Sequence, residues 1–223
     1  CSTQLDEAER GFSFKYDGPL DMRMSKTGES AADVVNSIPE SKLANIIYNY
    51  GDERASRRIA RAISTRRVQK PFIRTAELAQ IVRSVLPRAH KGKSDPATRT
   101  FQALRIYVNN EIDELCDALL ASERILQEGG ILAVVSFHSI EDRIVKRFMR
   151  ERAGLSSQPS RHQPFQFDIK PTFRLSPQRP ISPEADEIKV NPRARSAKLR
   201  IAIRTAAAAK KALNKHEMLS GRS

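Results

Sequence analysis

Three short stretches hold side chains that could do chemistry. In "FHSIEDRIVKRF", His138, Ser139, Glu141 and Asp142 follow one another closely. A histidine, a hydroxyl and two carboxylates suggest acid–base or nucleophilic work. A Ser–His–Asp hydrolase is disfavoured, because adjacent His138 and Ser139 do not readily form a nucleophile–base pair. No nucleophile-elbow motif is present either. Ser139 followed by Asp142 matches the spacing of a helix capping box, and Glu141 and Asp142 suit a helical first turn. His138 follows an apolar run, at the point where open α/β sheets place their ligands. It is read equally as a site wall and as a structural histidine. In "DGPLDMRM", Asp21 and Arg23 alternate with Met22 and Met24. This is either a structural ion pair packed by methionines or a pliable apolar clamp around a flat ligand. The third chemistry is basic. Arg54, Arg57, Arg58 and Arg61 fall three and four apart, and "NPRARSAKLR" brings Arg193 and Arg195 to the start of a strand. Arginine suits bidentate phosphate contacts, although solvated arginines beside an edge strand are equally common.

The whole chain leans the same way. Its 223 residues carry 39 Lys and Arg against 26 Asp and Glu, a formal charge of +13. Such a surplus favours polyanions, nucleic acid first, over a merely solvated basic surface. The most apolar stretch, Ile131 to Phe137, is far too short to span a bilayer, and no secretory leader pattern opens the sequence. Cys1 and Cys116 make neither a disulfide framework nor a metal cluster, so no metal is expected. Cys116 shares a helix face with Ile112, Leu115 and Leu119, as a small core residue in a reducing compartment would.

These groups need elements to hold them. Asp17-Gly18-Pro19 is turn chemistry within a loop-rich start. Leu43, Ile46, Ile47 and Tyr50 then define a helix stopped by Gly51. "DERASRRIARAISTRR" buries Ala55, Ile59, Ala62 and Ile63 and leaves the arginine ridge outside. Thr75 is placed to cap a third helix that Pro87 closes, and "RAHKGKSD" reads as a basic surface loop. Asp95-Pro96 opens a longer helix that breaks near Asn109-Asn110. "ILAVVSF" suits a strand buried on both faces, as in a parallel sheet. A helix follows, then a Ser-, Pro- and Gln-rich loop over 153–170. Strands in "PTFRLSPQRPI" and "AKLRIAIR" flank a short helix opened by Ser182 and Pro183, and the tail frays. The order describes the back half of an α/β sheet with a helical block in front. No glycine-rich nucleotide loop is found.

Four long motifs, "STQLDEAERGFSFKYDGPLDMRM", "ATRTFQALRIYVNNEIDEL", "GGILAVVSFHSIEDRIVKRF" and "NPRARSAKLR", resemble in order and spacing the RsmH (MraW) family of 16S ribosomal RNA cytosine-N(4) methyltransferases. The match runs from residue 2 to about 205. The resemblance implies the C-terminal part of a class I, Rossmann-like methyltransferase sheet, with an inserted all-helical domain that contacts RNA. It assigns residues 1–30 to the strand-four motif and active-site loop, 31–110 to the helical RNA-recognition domain, 111–205 to the C-terminal half of the methyltransferase domain, and 206–223 to a basic tail. It implies S-adenosyl-L-methionine as cofactor, with Gln4 as a contact. Thr3 stands where relatives carry proline, which leaves the local loop shape open. The substrate implied is a decoding-centre cytidine of 16S rRNA in the small ribosomal subunit, in the cytoplasm and without a membrane. A homo-oligomer is left open. Asp21, Arg23 and His138 become the catalytic candidates, and Arg54, Arg57, Arg58, Arg61, Arg193 and Arg195 the RNA-binding ones. The resemblance further implies a fragment lacking the N-terminal half of the cofactor domain and inactive by itself. The alternative is a non-catalytic, basic RNA-binding module.

Overall fold

The computed structural model describes residues 6–86, 95–155 and 170–210. The chain divides into two compact units, Cys1–Glu111 and Ile112–Ser223. Most of the basic loop expected at 88–95, most of the loop at 153–170 and most of the tail lie outside the described residues.

The first unit is built from helices α1 (Ala31–Ser37), α2 (Glu40–Gly51), α3 (Ser56–Gln69), α4 (Thr75–Val85) and α5 (Thr98–Val108). Helix α1 starts on a reciprocal capping box. Ser30 Oγ accepts from the Asp33 amide at 3.2 Å, and the Asp33 carboxylate accepts from the Ser30 amide at 2.8 Å. The heptad-like spacing of Leu43, Ile46 and Ile47 puts one face of α2 into the core with Ile59, Ile63, Leu78, Val82 and Leu104. Burying each such aliphatic side chain contributes about 1.5–3 kcal/mol. Gly51 is more than a helix stop. A Cβ there would meet the Arg99 carbonyl oxygen at 2.7 Å, so its bareness lets α2 lie close against α5. Helix α3 buries Ile59, Ala60 and Ile63, whereas Ala55 and Ala62 are only half-buried.

The start of α4 corrects an expectation. Thr75 does not cap this helix; it is the first helical residue and fully buried, and its Oγ1 accepts from the Gly18 amide at 3.1 Å. Capping comes from two carboxylates. Asp17 Oδ1 accepts from the Ala76 amide at 3.0 Å, and Glu77 Oε2 accepts from the Ile73 amide at 3.2 Å. Asp17 is far away in sequence, which is why local spacing pointed to Thr75 instead.

The second unit holds α6 (Glu111–Ile125, its first residue closing the first unit), β1 (Ile131–Ser136), α7 (Ser139–Arg152), β2 (Phe173–Leu175), α8 (Ala185–Val190) and β3 (Lys198–Arg204). The helix break expected at Asn109-Asn110 is present, with Asn110 left-handed at φ 50°. The three strands form one sheet in the order β1-β3-β2. Both pairings are antiparallel, with Ile131 opposite Ile203 and Phe173 opposite Arg204. The expectation of a strand buried on both faces does not hold among the described residues. Leu132 and Val134 are half-buried and Ser136 is buried, while Ile131, Ala133 and Val135 on the alternate face are exposed. A strand alternates its side chains between faces, and α7 covers only one. That helix turns Ile140, Ile144, Val145, Phe148 and Met149 inward. The short helix α8 begins after Glu184 rather than at Ser182-Pro183.

Candidate functional site

In the first unit the loop carrying Asp21 and Arg23 is tightly specified. Gly11 (φ 70°) must be glycine, because a Cβ there would collide with the Pro19 carbonyl oxygen. The Met22 amide then donates to the Arg10 carbonyl at 3.1 Å. Met22 is fully buried and holds a left-handed backbone at φ 63°. For a non-glycine residue this costs of order 1–3 kcal/mol, and such positions cluster at functional sites. Asn109 holds it there. Its Nδ2 donates to the Met22 carbonyl at 2.8 Å and its Oδ1 accepts from the Met24 amide at 2.7 Å. One carboxamide thereby acts as a strand partner from the end of α5.

The bent backbone turns Asp21 and Arg23 together. Arg23 Nε and Nη2 donate to Asp21 Oδ1 and Oδ2 at 2.9 and 2.7 Å, and the Arg23 amide donates to Oδ1 at 2.9 Å. The Arg23 guanidinium holds the Asp21 carboxyl below its ordinary value, against the opposing pull of burial. Both side chains remain about one-third exposed, at 26% and 32%. The pair is therefore a preformed anionic acceptor beside a fixed donor fork. Of the two readings, a structural pair and a clamp, it has the geometry of the first and the accessibility of the second.

In the second unit His138 is itself the N-cap of α7, which corrects the Ser139–Asp142 capping box. The Glu141 amide donates to His138 Nδ1 at 3.4 Å, and the Glu141 carboxylate accepts from the Phe137 amide at 2.8 Å. Burial pulls the Glu141 carboxyl up, but His138 and the two backbone donors outweigh it and leave its pKa lowered. His138 Nε2 is buried and lies 3.1 Å from Glu141 Oε1, yet the contact is too poorly aligned to be a hydrogen bond.

Asp142 is occupied elsewhere. Its carboxylate accepts from Arg200 Nε and Nη2 at 2.8 and 3.1 Å and from Lys198 Nζ at 3.2 Å, tying α7 to β3. Burial raises its pKa, but Arg200 and Lys198 lower it further, so the net shift is downward. A carboxyl depressed in the folded state adds stability that is complete above its unfolded pKa near 4 and is lost as pH falls through the native value. Asp142→Asn is therefore expected to lower stability at pH 7 while flattening its fall below about pH 4. Urea titrations from pH 7 to 3 check this, and an unchanged acid limb would refute it.

The basic candidates are all surface residues. Arg54 precedes α3, and Arg57, Arg58 and Arg61 project from it. Arg58 Nη2 donates to the Val85 carbonyl at 2.6 Å, and Arg61 lies 3.8 Å from Glu40. Arg193 and Arg195 are exposed on a short 3-10 turn, Pro192–Ser196, where the Arg193 amide donates to Asn191 Oδ1 at 3.2 Å. Gln4 lies outside the described residues. Sequence reasoning missed Asn109 as a clamp; the only signal was the paired asparagines, which marked the helix break.

Fold and site together define a mixed α/β protein with a strongly basic surface and a preorganised acid–arginine loop. The chain belongs to the MraW methylase family, whose model matches residues 1–205. It is 59% identical over 210 residues to the ribosomal RNA small subunit methyltransferase H of Paramagnetospirillum magneticum, covering 93% of this chain and 66% of that protein. The protein of the same description from Cereibacter sphaeroides is 58% identical, with 94% and 63% covered. That from Roseobacter denitrificans is 57% identical over 208 residues, with 93% and 63% covered. The chain thus spans just under two thirds of the length of these relatives. Among the described residues, no helix is long and apolar enough to cross a membrane.

Proposed function

We propose that this chain supplies the RNA-facing helical unit and the C-terminal sheet of an S-adenosylmethionine-dependent methyltransferase. Its substrate is the exocyclic amine of a decoding-centre cytidine in small-subunit rRNA. The observation that carries the reading is the family match over residues 1–205, reinforced by relatives that bear the small-subunit rRNA methyltransferase description. The helical unit, residues 31–110, acts as an inserted recognition domain, and its arginines supply the phosphate contacts.

When bound, S-adenosylmethionine offers an electrophilic sulfonium methyl. Gln4, the contact that the family resemblance implies, lies outside the described residues. The backbone amides of Phe137 and His138, at the ligand-facing end of β1, are already taken by Glu141.

The substrate side rests on this chain's own residues. The cytosine amine needs an acceptor for its hydrogens and a fixed orientation. Asp21, kept ionised by Arg23, is a hydrogen-bond acceptor rather than a strong base. Arg23 orients that acceptor. His138 is a separate candidate carried by the second unit, where its buried Nε2 lies 3.1 Å from Glu141 Oε1. The base must leave its stack to reach such a site.

The test is mass spectrometry of small-subunit rRNA from cells deleted for the full reading frame and then complemented. Deletion is expected to remove a methyl group from one cytidine and complementation to restore it. An unchanged rRNA mass would leave the alternative, a basic RNA-binding module without catalysis. Residues 1–223 expressed alone, which span only part of the relatives' length, are expected to show no methyl transfer.

A further inference from the structure

We propose a second phosphate-binding surface in the second unit, separate from the arginine ridge of α3. It is a shallow groove between α7 and the turn that follows β2. Lys146 and Arg150 line it from α7, Gln178 and Arg179 from the turn, and Arg200 from β3. This inference rests on the RNA-methylation reading and adds a site to it.

The groove's chemistry is one-sided. Four of its side chains are cationic, one is a neutral amide, and no carboxylate lines it. Three of the cations are not held by acidic partners there. Arg150 Nη2 donates to the Leu155 carbonyl at 2.8 Å, and Lys146 and Arg179 make no ion pair among the described residues. Arg200 differs, because Asp142 grips its Nε and Nη2, so its guanidinium is fixed at the groove with its side chain only 12% exposed. A fixed guanidinium flanked by mobile cations is a phosphate-binding arrangement: one group sets geometry and the others neutralise charge. Asp142 offsets the charge of Arg200, but gathering Lys146, Arg150 and Arg179 beside it costs self-repulsion, which a bound phosphodiester relieves.

The groove favours RNA over a protein partner. Of the apolar residues lining it, Met149 is 2% exposed, Leu175 and Ile201 are half-buried and only Pro177 is exposed, so it offers no large exposed apolar anchor of the kind that dominates protein interfaces. The lysine and arginines at 146, 150 and 179 are exposed and free to follow a sugar–phosphate backbone.

The experiment measures binding of a labelled small-subunit rRNA transcript across a salt series, using the full reading frame. The proteins compared are the wild type, Lys146→Glu/Arg179→Glu, and Arg57→Glu/Arg61→Glu. The groove variant is expected to weaken binding about tenfold or more and to reduce the salt slope by about 1 for each phosphate contact removed. The milder Lys146→Gln/Arg179→Gln should give part of that loss, and an unchanged thermal melt confirms that either variant is folded. If the wild type and the groove variant bind alike while the α3 variant is weakened, the groove is overturned and the RNA reading stands. If the wild type itself does not bind the transcript, both fall. If binding to naked RNA is unchanged but binding to assembled small subunits is lost, the groove faces an acidic protein and the phosphate assignment is wrong.

Discussion

Replacing Glu123 by alanine should destabilise the second unit by about 3–5 kcal/mol. Glu123 and Arg152 are 2% and 1% exposed, and Arg152 Nε lies 2.9 Å from Glu123 Oε2. The contact is close but imperfectly aimed, since that Nε lacks a well-formed hydrogen bond. The carboxylate is satisfied on its other side, where Thr172 Oγ1 donates to Oε1 at 2.6 Å. Arg204 is drawn into the same knot, donating to the Glu123 and Thr172 carbonyls at 2.9 and 3.0 Å. Removing Glu123 leaves Arg152 charged and buried with its principal counterion gone. Removing both charges is different, because a buried ion pair can often be replaced by apolar residues at little net cost. Glu123→Met/Arg152→Met should therefore recover most of the loss. Urea denaturation of the three proteins decides it. A single-variant loss below about 1 kcal/mol, the size of a surface pair, would show that the pair is solvated in solution.

On the function proposed above, Asp21→Ala in the full reading frame is expected to cut cytidine methylation by about a hundredfold, the size of loss when a reacting group is no longer held in orientation. Its effect on stability should be small, because an ion pair one-third exposed contributes about 1 kcal/mol or less. That contrast makes the experiment informative. Loss of the rRNA methyl mark with an unchanged melt places Asp21 at the substrate. Parallel losses of stability and activity would instead make it a loop-structuring residue. Asp21→Asn keeps the acceptor oxygen but loses the charge that aligns Arg23, so it should fall between wild type and alanine. Full methylation by Asp21→Ala would remove this loop from the catalytic assignment.

The helices were largely legible from spacing. Leu43, Ile46 and Ile47 mark the buried face of α2 because an amphipathic helix writes its period into the sequence. The break at Asn109-Asn110 and the strands at 131–136, 173–175 and 198–204 were equally local signals. What was not legible is what depends on distant partners. The alternation of exposed and half-buried residues along β1 reflects which face α7 covers, and an apolar run alone carries no such information. Thr75 was a plausible cap by spacing, but Asp17 does that work because the fold brings it close; Ser139 instead yields to its immediate neighbour His138, a local shift of one residue. The candidate site shows the same division. Asp21 and Arg23 stood out as residue types, whereas the backbone of Met22 and the Asn109 clamp that unite them arise only from tertiary structure. Arg152 and Glu123 escaped notice because charged residues on amphipathic helices are normally solvated.

The Asn109 clamp also sets an order of assembly. Its two bonds to the Met22–Met24 segment join groups 85 and 87 residues apart in sequence. Loop-closure entropy must be met before such a contact stabilises anything, so these bonds form late, after α1 to α5 have gathered. The left-handed turn at Met22 has no local reason to persist until then. The ordered form of the loop bearing Asp21 and Arg23 thus depends on the packed helices of the first unit. An incompletely synthesised or partly unfolded chain presents no ordered acid–arginine pair.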